Sequence, residues 1–150
     1  MRVNPKLLLV VRVLMGWFFL YAGLSKVLNP EWTAAGFLSN AQTFPAVYGW
    51  FASSANIGWV DFANSWGQTL IGLGLITGTF VQVASWAGIL MMVLYYFPSL
   101  NFPYAGDHAL LVDDHVLYIL ILVGLMQTKA GHFWGLDALI FKGAKKKKKK

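Results

Sequence analysis

The chain contains no cysteine. That absence removes disulfide exchange, thiolate nucleophiles, iron–sulfur ligation and covalent haem attachment, so any redox chemistry must run on a bound cofactor or on the substrate. Charge is scarce as well: 12% of the 150 residues are Asp, Glu, Lys or Arg, against about 25% in an ordinary soluble domain. A net charge of +6 would suggest nucleic acid, but six of the twelve basic residues form the terminal run Lys145 to Lys150. The basicity is a tail, attracted to an anionic leaflet, and no nucleic-acid partner is expected. What remains is apolar, 57% hydrophobic with a mean hydropathy of +0.57. It predicts a small polytopic membrane protein whose first partner is the lipid bilayer.

The stretch from Leu7 to Leu28 is long enough to cross a bilayer, yet it carries Arg12 and Lys26. Arg12, Gly16, Phe19, Gly23 and Lys26 follow one another at steps of four, three, four and three, so they share one helix face. Glycines let a neighbouring backbone come close, and intramembrane charges usually face a bundle interior. This stripe is therefore expected to face inward. The alternative is that both charges snorkel to the headgroup layers, although Arg12 lies about 9 Å beyond Lys6 along the helix. Arg12 also interrupts what would be the apolar core of a signal peptide, so the segment reads as a retained first span.

The rest of the chain is expected to complete an all-α, integral membrane four-helix bundle, one domain over residues 1–141 with spans at about 7–28, 57–77, 80–97 and 112–128. Asn29-Pro30-Glu31 combines a cap, a first-turn proline and an acid, and predicts a short interfacial helix in the first outer loop from Pro30 to about Asn40. Residues 41–56 mix Pro45, Gly49 and serines with aromatic rings and read as a headgroup-level cap. In the second span Asp61, Gln68 and Gly72 share a face with Asn64 and Ser65 on its flank. Gly67, Gly74 and Gly78 form an adjacent stripe, so that helix is expected to pack tightly on two sides. Residues 142–150 make a polybasic cytoplasmic tail. Basic residues collect on one side and acidic ones on the other, which places both termini in the cytoplasm.

Two polar clusters follow from that topology. The outer one gathers Lys26, Asp61, Asp113, Asp114 and His115, with Glu31 and His108 nearby. A buried ammonium needs an anion at its own depth, which Asp61 or Asp114 could supply. The competing reading makes Asp113 and Asp114 a helix cap favoured by the dipole; Tyr118 lies one turn after Asp114 on the same face. His108 and His115, about 10 Å apart along one helix, cannot take opposite axial positions on a single haem, and no third ligand has zinc spacing, so no haem, iron–sulfur or metal site is expected. The inner cluster is Arg12, Gln82, Gln127, His132 and Asp137, in which Asp137 can turn back toward Arg12 as a structural polar pair.

Read together, RVLMGWFFLYAGLSKVLNPEW, WGQTLIGLGLITG, MMVLYYF, HVLYILILVGL and GHFWGLD resemble the DoxX family of four-span prokaryotic membrane proteins. Within it the chain is similar to the DoxD-like proteins, named for the small subunit of thiosulfate:quinone oxidoreductase. The resemblance covers most of residues 7–141. Two departures are His132, where relatives often have Arg, and Gln68, where an acid is often seen. The resemblance implies a multi-pass protein of the inner membrane, a second subunit or homo-oligomer as partner, and quinone as cofactor. It further implies electron transfer to quinone from a small periplasmic, sulfur-type donor. On that reading Lys26, His115 and Tyr118 bind the quinone, with Lys26 and His115 as donors, and Asp61 and Asp114 relay protons. A non-catalytic anchor or assembly protein for a partner oxidoreductase is the main alternative, and a small transporter the third.

Overall fold

Glycine decides which helices touch. In the computed structural model, which describes residues 4–106 and 109–140, the first helix α1 (Pro5–Val27) lies directly on α4 (Ile57–Thr77). A Cβ placed on Gly16 would stand 2.8 Å from the backbone nitrogen of Ile76, and one on Gly72 would stand 2.6 Å from Leu20 Cα. Only residues without a side chain permit that approach. Arg12, Gly16, Phe19 and Gly23 are all buried on this face and Lys26 is half-buried, so the charged stripe faces inward.

The remaining elements are α2 (Ala35–Ser39), α3 (Pro45–Ala52), α5 (Val81–Ser99), α6 (Asp114–Gln127) and a single 3-10 turn, Ala130–His132. A two-residue hairpin pairs Leu100–Asn101 with Tyr104–Ala105. α5 packs on α6 as α1 packs on α4, and the two pairs meet through α4–α5 and α1–α6. Met15, Phe19, Ile71, Leu75, Met92 and Leu122 fill the space between them. The outward surface is strongly apolar: Leu14, Tyr21, Leu70, Val83 and Trp86 are all exposed.

Two helices, Pro5–Val27 and Val81–Ser99, are long and apolar enough to cross a membrane. Of the other two expected spans, α4 has the length, 21 residues, but carries Asp61, Asn64, Ser65 and Gln68 along its first half. α6 has 14 residues and reaches only about 21 Å, short of a hydrocarbon layer of about 30 Å.

The expected helix from Pro30 is largely a turn. Asn29 accepts the Glu31 N–H through its side chain and the Trp32 N–H through its carbonyl, an Asx turn that competes with helix initiation. The helix begins only at Ala35. The cap segment contains a helix instead: Phe44 adopts a left-handed conformation (φ 54°) and Pro45 opens α3 behind it. Tyr48, whose phenol burial pushes above its usual pKa, donates to the Leu94 carbonyl at 3.1 Å and ties α3 to α5. Arg2, Asp107, His108 and the basic tail from Lys142 to Lys150 lie outside the described residues.

Candidate functional site: a polar cavity at the Lys26 end

At the end of the bundle opposite Arg12, a cavity of about 320 Å³ is bounded by Lys26, Trp32, Asn64, Tyr95 and His115. Each comes from a different element or loop. Lys26 ends α1, Trp32 follows the Asn29 turn, Asn64 lies on α4, Tyr95 on α5 and His115 in the first turn of α6. Asp61 holds the roof in place: its Oδ1 accepts the Ala34 N–H at 2.8 Å, fixing the chain ahead of α2.

Tyr95 is the centre of the cavity. Its hydroxyl donates to Asn64 Oδ1 at 2.7 Å, and its ring meets Phe37 at 6.3 Å and His115 at 6.1 Å, both edge-on. Lys26 Nζ stands 5.1 Å from the Trp32 ring centre and 6.0 Å from that of Tyr95, so two aromatic faces flank the ammonium. Its hydrogen-bond acceptor is Gln68 Oε1. No described carboxylate comes within 4.0 Å of it. An ammonium has three donors, which leaves Lys26 able to donate into the cavity.

His115 is held by Asp113. Asp113 Oδ1 caps α6 by accepting the His115 and Val116 N–H groups at 3.0 and 3.3 Å, and its Oδ2 lies 2.6 Å from His115 Nδ1. A carboxylate only accepts, so Nδ1 carries the proton and Nε2 of the neutral ring is an acceptor. His115 thus has Nε2 left for a ligand, as an acceptor in the neutral ring and as a donor in the protonated one.

Several expected site residues stand elsewhere. Asp114 is exposed and does not line the cavity; its neighbour Asp113 takes the place beside His115, because the capping residue points back over the first turn while the next residue points outward. Asp61 serves the backbone of Ala34 rather than Lys26. Tyr118 packs its ring on Phe18 at 4.6 Å, on the flank of the core, away from the cavity. Tyr95, Asn64 and Trp32 enter the site without having been singled out for it. Asn64 was detectable, since it lies one turn from both Asp61 and Gln68 on α4.

The Arg12 end is a structural clasp. Arg12, 1% exposed, donates through Nη1 to the carbonyls of Ala130 and Phe133 at 2.9 and 3.3 Å and through Nη2 to that of Trp134 at 3.2 Å. Asp137 does not bond Arg12, although it is close enough to act on its charge. Its two oxygens accept the N–H groups of Phe80 and Val81 at 2.7 and 3.0 Å. The expected pair is therefore two neighbours with separate duties. Phe80 opens α5 in a left-handed conformation (φ 49°) without a side-chain cap of its own, and Asp137 caps the helix from the far end of the chain. Gly78 and Gly135 leave the room that the guanidinium fills: a Cβ on either would stand 2.5 or 2.6 Å from Arg12 Nη1.

Fold and site together define a helical membrane protein whose one end is closed by a buried arginine and whose other holds an aromatic cavity with an ammonium and an imidazole. The chain belongs to the DoxX family, whose model matches residues 7–99. The matched segment includes Lys26, Asn64 and Tyr95 and stops short of His115. Nothing matches among curated proteins or among solved structures.

Proposed function

We propose that this DoxX protein is a DoxD-like, four-span subunit of a quinone-linked oxidoreductase, and that its polar cavity takes the quinone headgroup. What supports this is a polar pair lining one cavity: Lys26, free to donate beyond its Gln68 bond, and His115, whose Nδ1–H is fixed on Asp113 and whose Nε2 is left for a ligand. A volume of about 320 Å³ suits a single ring, at the lower end of small-molecule sites. When bound, a quinone supplies two-electron, two-proton chemistry. Lys26 would hold a carbonyl oxygen, His115 would take up or return a proton at a hydroxyl, and Asp113 would orient the imidazole and steady its protonated form. Trp32, Phe37 and Tyr95 add aromatic faces to the lining against which a ring could stack.

In this reading all four long helices reach across the inner membrane of a prokaryotic cell. α6 is completed by flanking residues and both termini are cytoplasmic. The cavity then opens toward the periplasm, where a small sulfur-type donor, handled by a partner subunit, would deliver electrons.

The test is quinone binding and turnover in membranes containing the full chain. Lys26→Met and His115→Gln should each lower binding and turnover at least about tenfold, and Asp114→Asn should leave both near wild type. Wild-type binding in the first two variants would remove this reading and put the non-catalytic anchor in its place.

A further inference from the structure

Beyond the polar cavity, an open groove follows the outer side of the contact between α4 and α5. Directly behind the cavity a space of about 350 Å³ lies between α4, α5 and the roofing helices α2 and α3, bounded by Leu38, Tyr48, Phe51 and Val60. Asn64 and Tyr95 line both spaces, so this hydrogen-bonded pair is the wall that they share. The second space continues into a groove of about 640 Å³, which shares Ala63, Leu90 and Met91 with it and runs down to Thr77 and Phe80. From Ala63 to Thr77 the groove follows α4 for about 21 Å, most of the depth of one hydrocarbon layer. No charged side chain lines either apolar compartment.

This openness has a local cause. The stripe of Gly67, Gly74 and Gly78 was expected to bring a second helix against α4, as Gly16, Gly23 and Gly72 do for α1. At Gly67 an added Cβ would meet only Met91, at the flexible end of its side chain. At Gly74 the added Cβ would stand 3.3 Å from the Ala84 Cβ, so α5 does approach that part of the stripe, and beside Gly67 the small residues form the floor of a groove.

We infer that the α4–α5 seam is the tail channel for the ligand whose headgroup the polar cavity takes, a lipid-phase quinone with a long isoprenoid chain that enters sideways from the bilayer. The inference rests on the headgroup reading above. A polar compartment that shares the Asn64–Tyr95 wall with a long apolar one, both lined by α4 and α5, matches a molecule with one polar ring and one extended apolar chain, which would pass where that side-chain pair parts. A ligand arriving from water would need only the first compartment.

The experiment measures binding to the purified full chain, in one detergent, of quinones sharing a headgroup and carrying no chain, a short isoprenoid chain or a full-length one. Ala63→Phe and Ala87→Phe, both at exposed positions on the groove wall, fill the channel without touching Lys26 or His115. Wild type should gain about tenfold in affinity with the full chain. Both variants should lose that gain and keep headgroup-only affinity and melting temperature. In wild type, a diazirine at the chain end should label the inner half of the seam, residues 70–83. If the headgroup binds but chain length adds nothing, or the gain survives both substitutions, or the label falls elsewhere, the channel is overturned and the headgroup reading stands. Failure of every quinone to bind removes the headgroup reading and this inference with it. Loss of a complex with a second protein, with the chain-length gain intact, would assign the groove to a protein helix and also overturn the inference.

Discussion

Lys26 donates to the side-chain oxygen of Gln68 across the α1–α4 contact, so the ammonium of the cavity rests on a neutral amide where a carboxylate would neutralise it. Its charge remains available to a ligand. Gln68→Glu should leave the fold intact and weaken binding of a quinone headgroup by about tenfold, because the new carboxylate competes for the same donors. Titration of membranes with a headgroup-only quinone checks this, and unchanged affinity would show that Lys26 is not the donor.

The three carbonyls around Arg12 make it irreplaceable in a way that its charge alone does not. Arg12→Ala strands the buried acceptor of Ala130 and the part-buried ones of Phe133 and Trp134 and should cost about 3 kcal/mol, whereas Lys6→Ala should fall within about 0.5 kcal/mol. Arg12→Lys should recover only part of the loss, since an ammonium lacks the planar fork. Thermal unfolding in detergent gives the ranking; equal melting temperatures for the Arg12 and Lys6 variants would mean that the guanidinium is solvated.

Asp137→Asn keeps the shape of the α5 cap but offers one acceptor where two N–H groups are held, and should destabilise by about 1 kcal/mol. Amide hydrogen exchange should accelerate at Phe80 and Val81 before it does elsewhere in α5. Uniform acceleration along the helix would point to global loosening instead.

Glycine substitutions should separate the two faces of α4. Gly72→Ala would drive a methyl into the Leu20 backbone, and Gly16→Ala one into Ile76; overpacking of this kind costs about 1–3 kcal/mol. Gly67→Ala meets only the movable end of Met91 and should be close to neutral. Similar losses at all three positions would mean that the α4–α5 seam is as tight as the α1–α4 contact.

Topology is checked by reporter fusions. One placed in the 98–106 loop and one after Lys150 should report opposite sides of the membrane; the same side for both would rule out the four-span arrangement.

Much of the helical framework was legible because it depends on periodicity. α4 begins at Ile57 and ends at Thr77 where its pattern does, closed by Gly78 in a left-handed conformation (φ 71°) with Thr79 donating back to Gly74, the Schellman arrangement that glycine favours. The inward stripe of α1 was legible for the same reason. The partners of Arg12 were not, because every residue has a carbonyl and nothing in a side-chain pattern marks which ones converge. Likewise the pattern could not separate Asp113 from Asp114, since both suit a helix start and only the capping geometry decides which faces His115. Tyr95 looked like one of several interfacial aromatics until Asn64 and Lys26 were placed beside it. The groove beside Gly67 was not legible for a related reason: a stripe of small residues permits close packing, as at Gly74 against Ala84, without requiring it along its whole length.

The clasp at Arg12 also orders events at the ribosome. The guanidinium enters the membrane with the first helix, but the carbonyls that satisfy it belong to residues 130–134, made 118 to 122 positions later. Until those residues are made, the nascent chain carries a cation in its first helix without the acceptors that hold it in the folded protein. A chain terminated before Ala130 should therefore be cleared rapidly although every long helix is present, and Arg12→Leu should lengthen its lifetime.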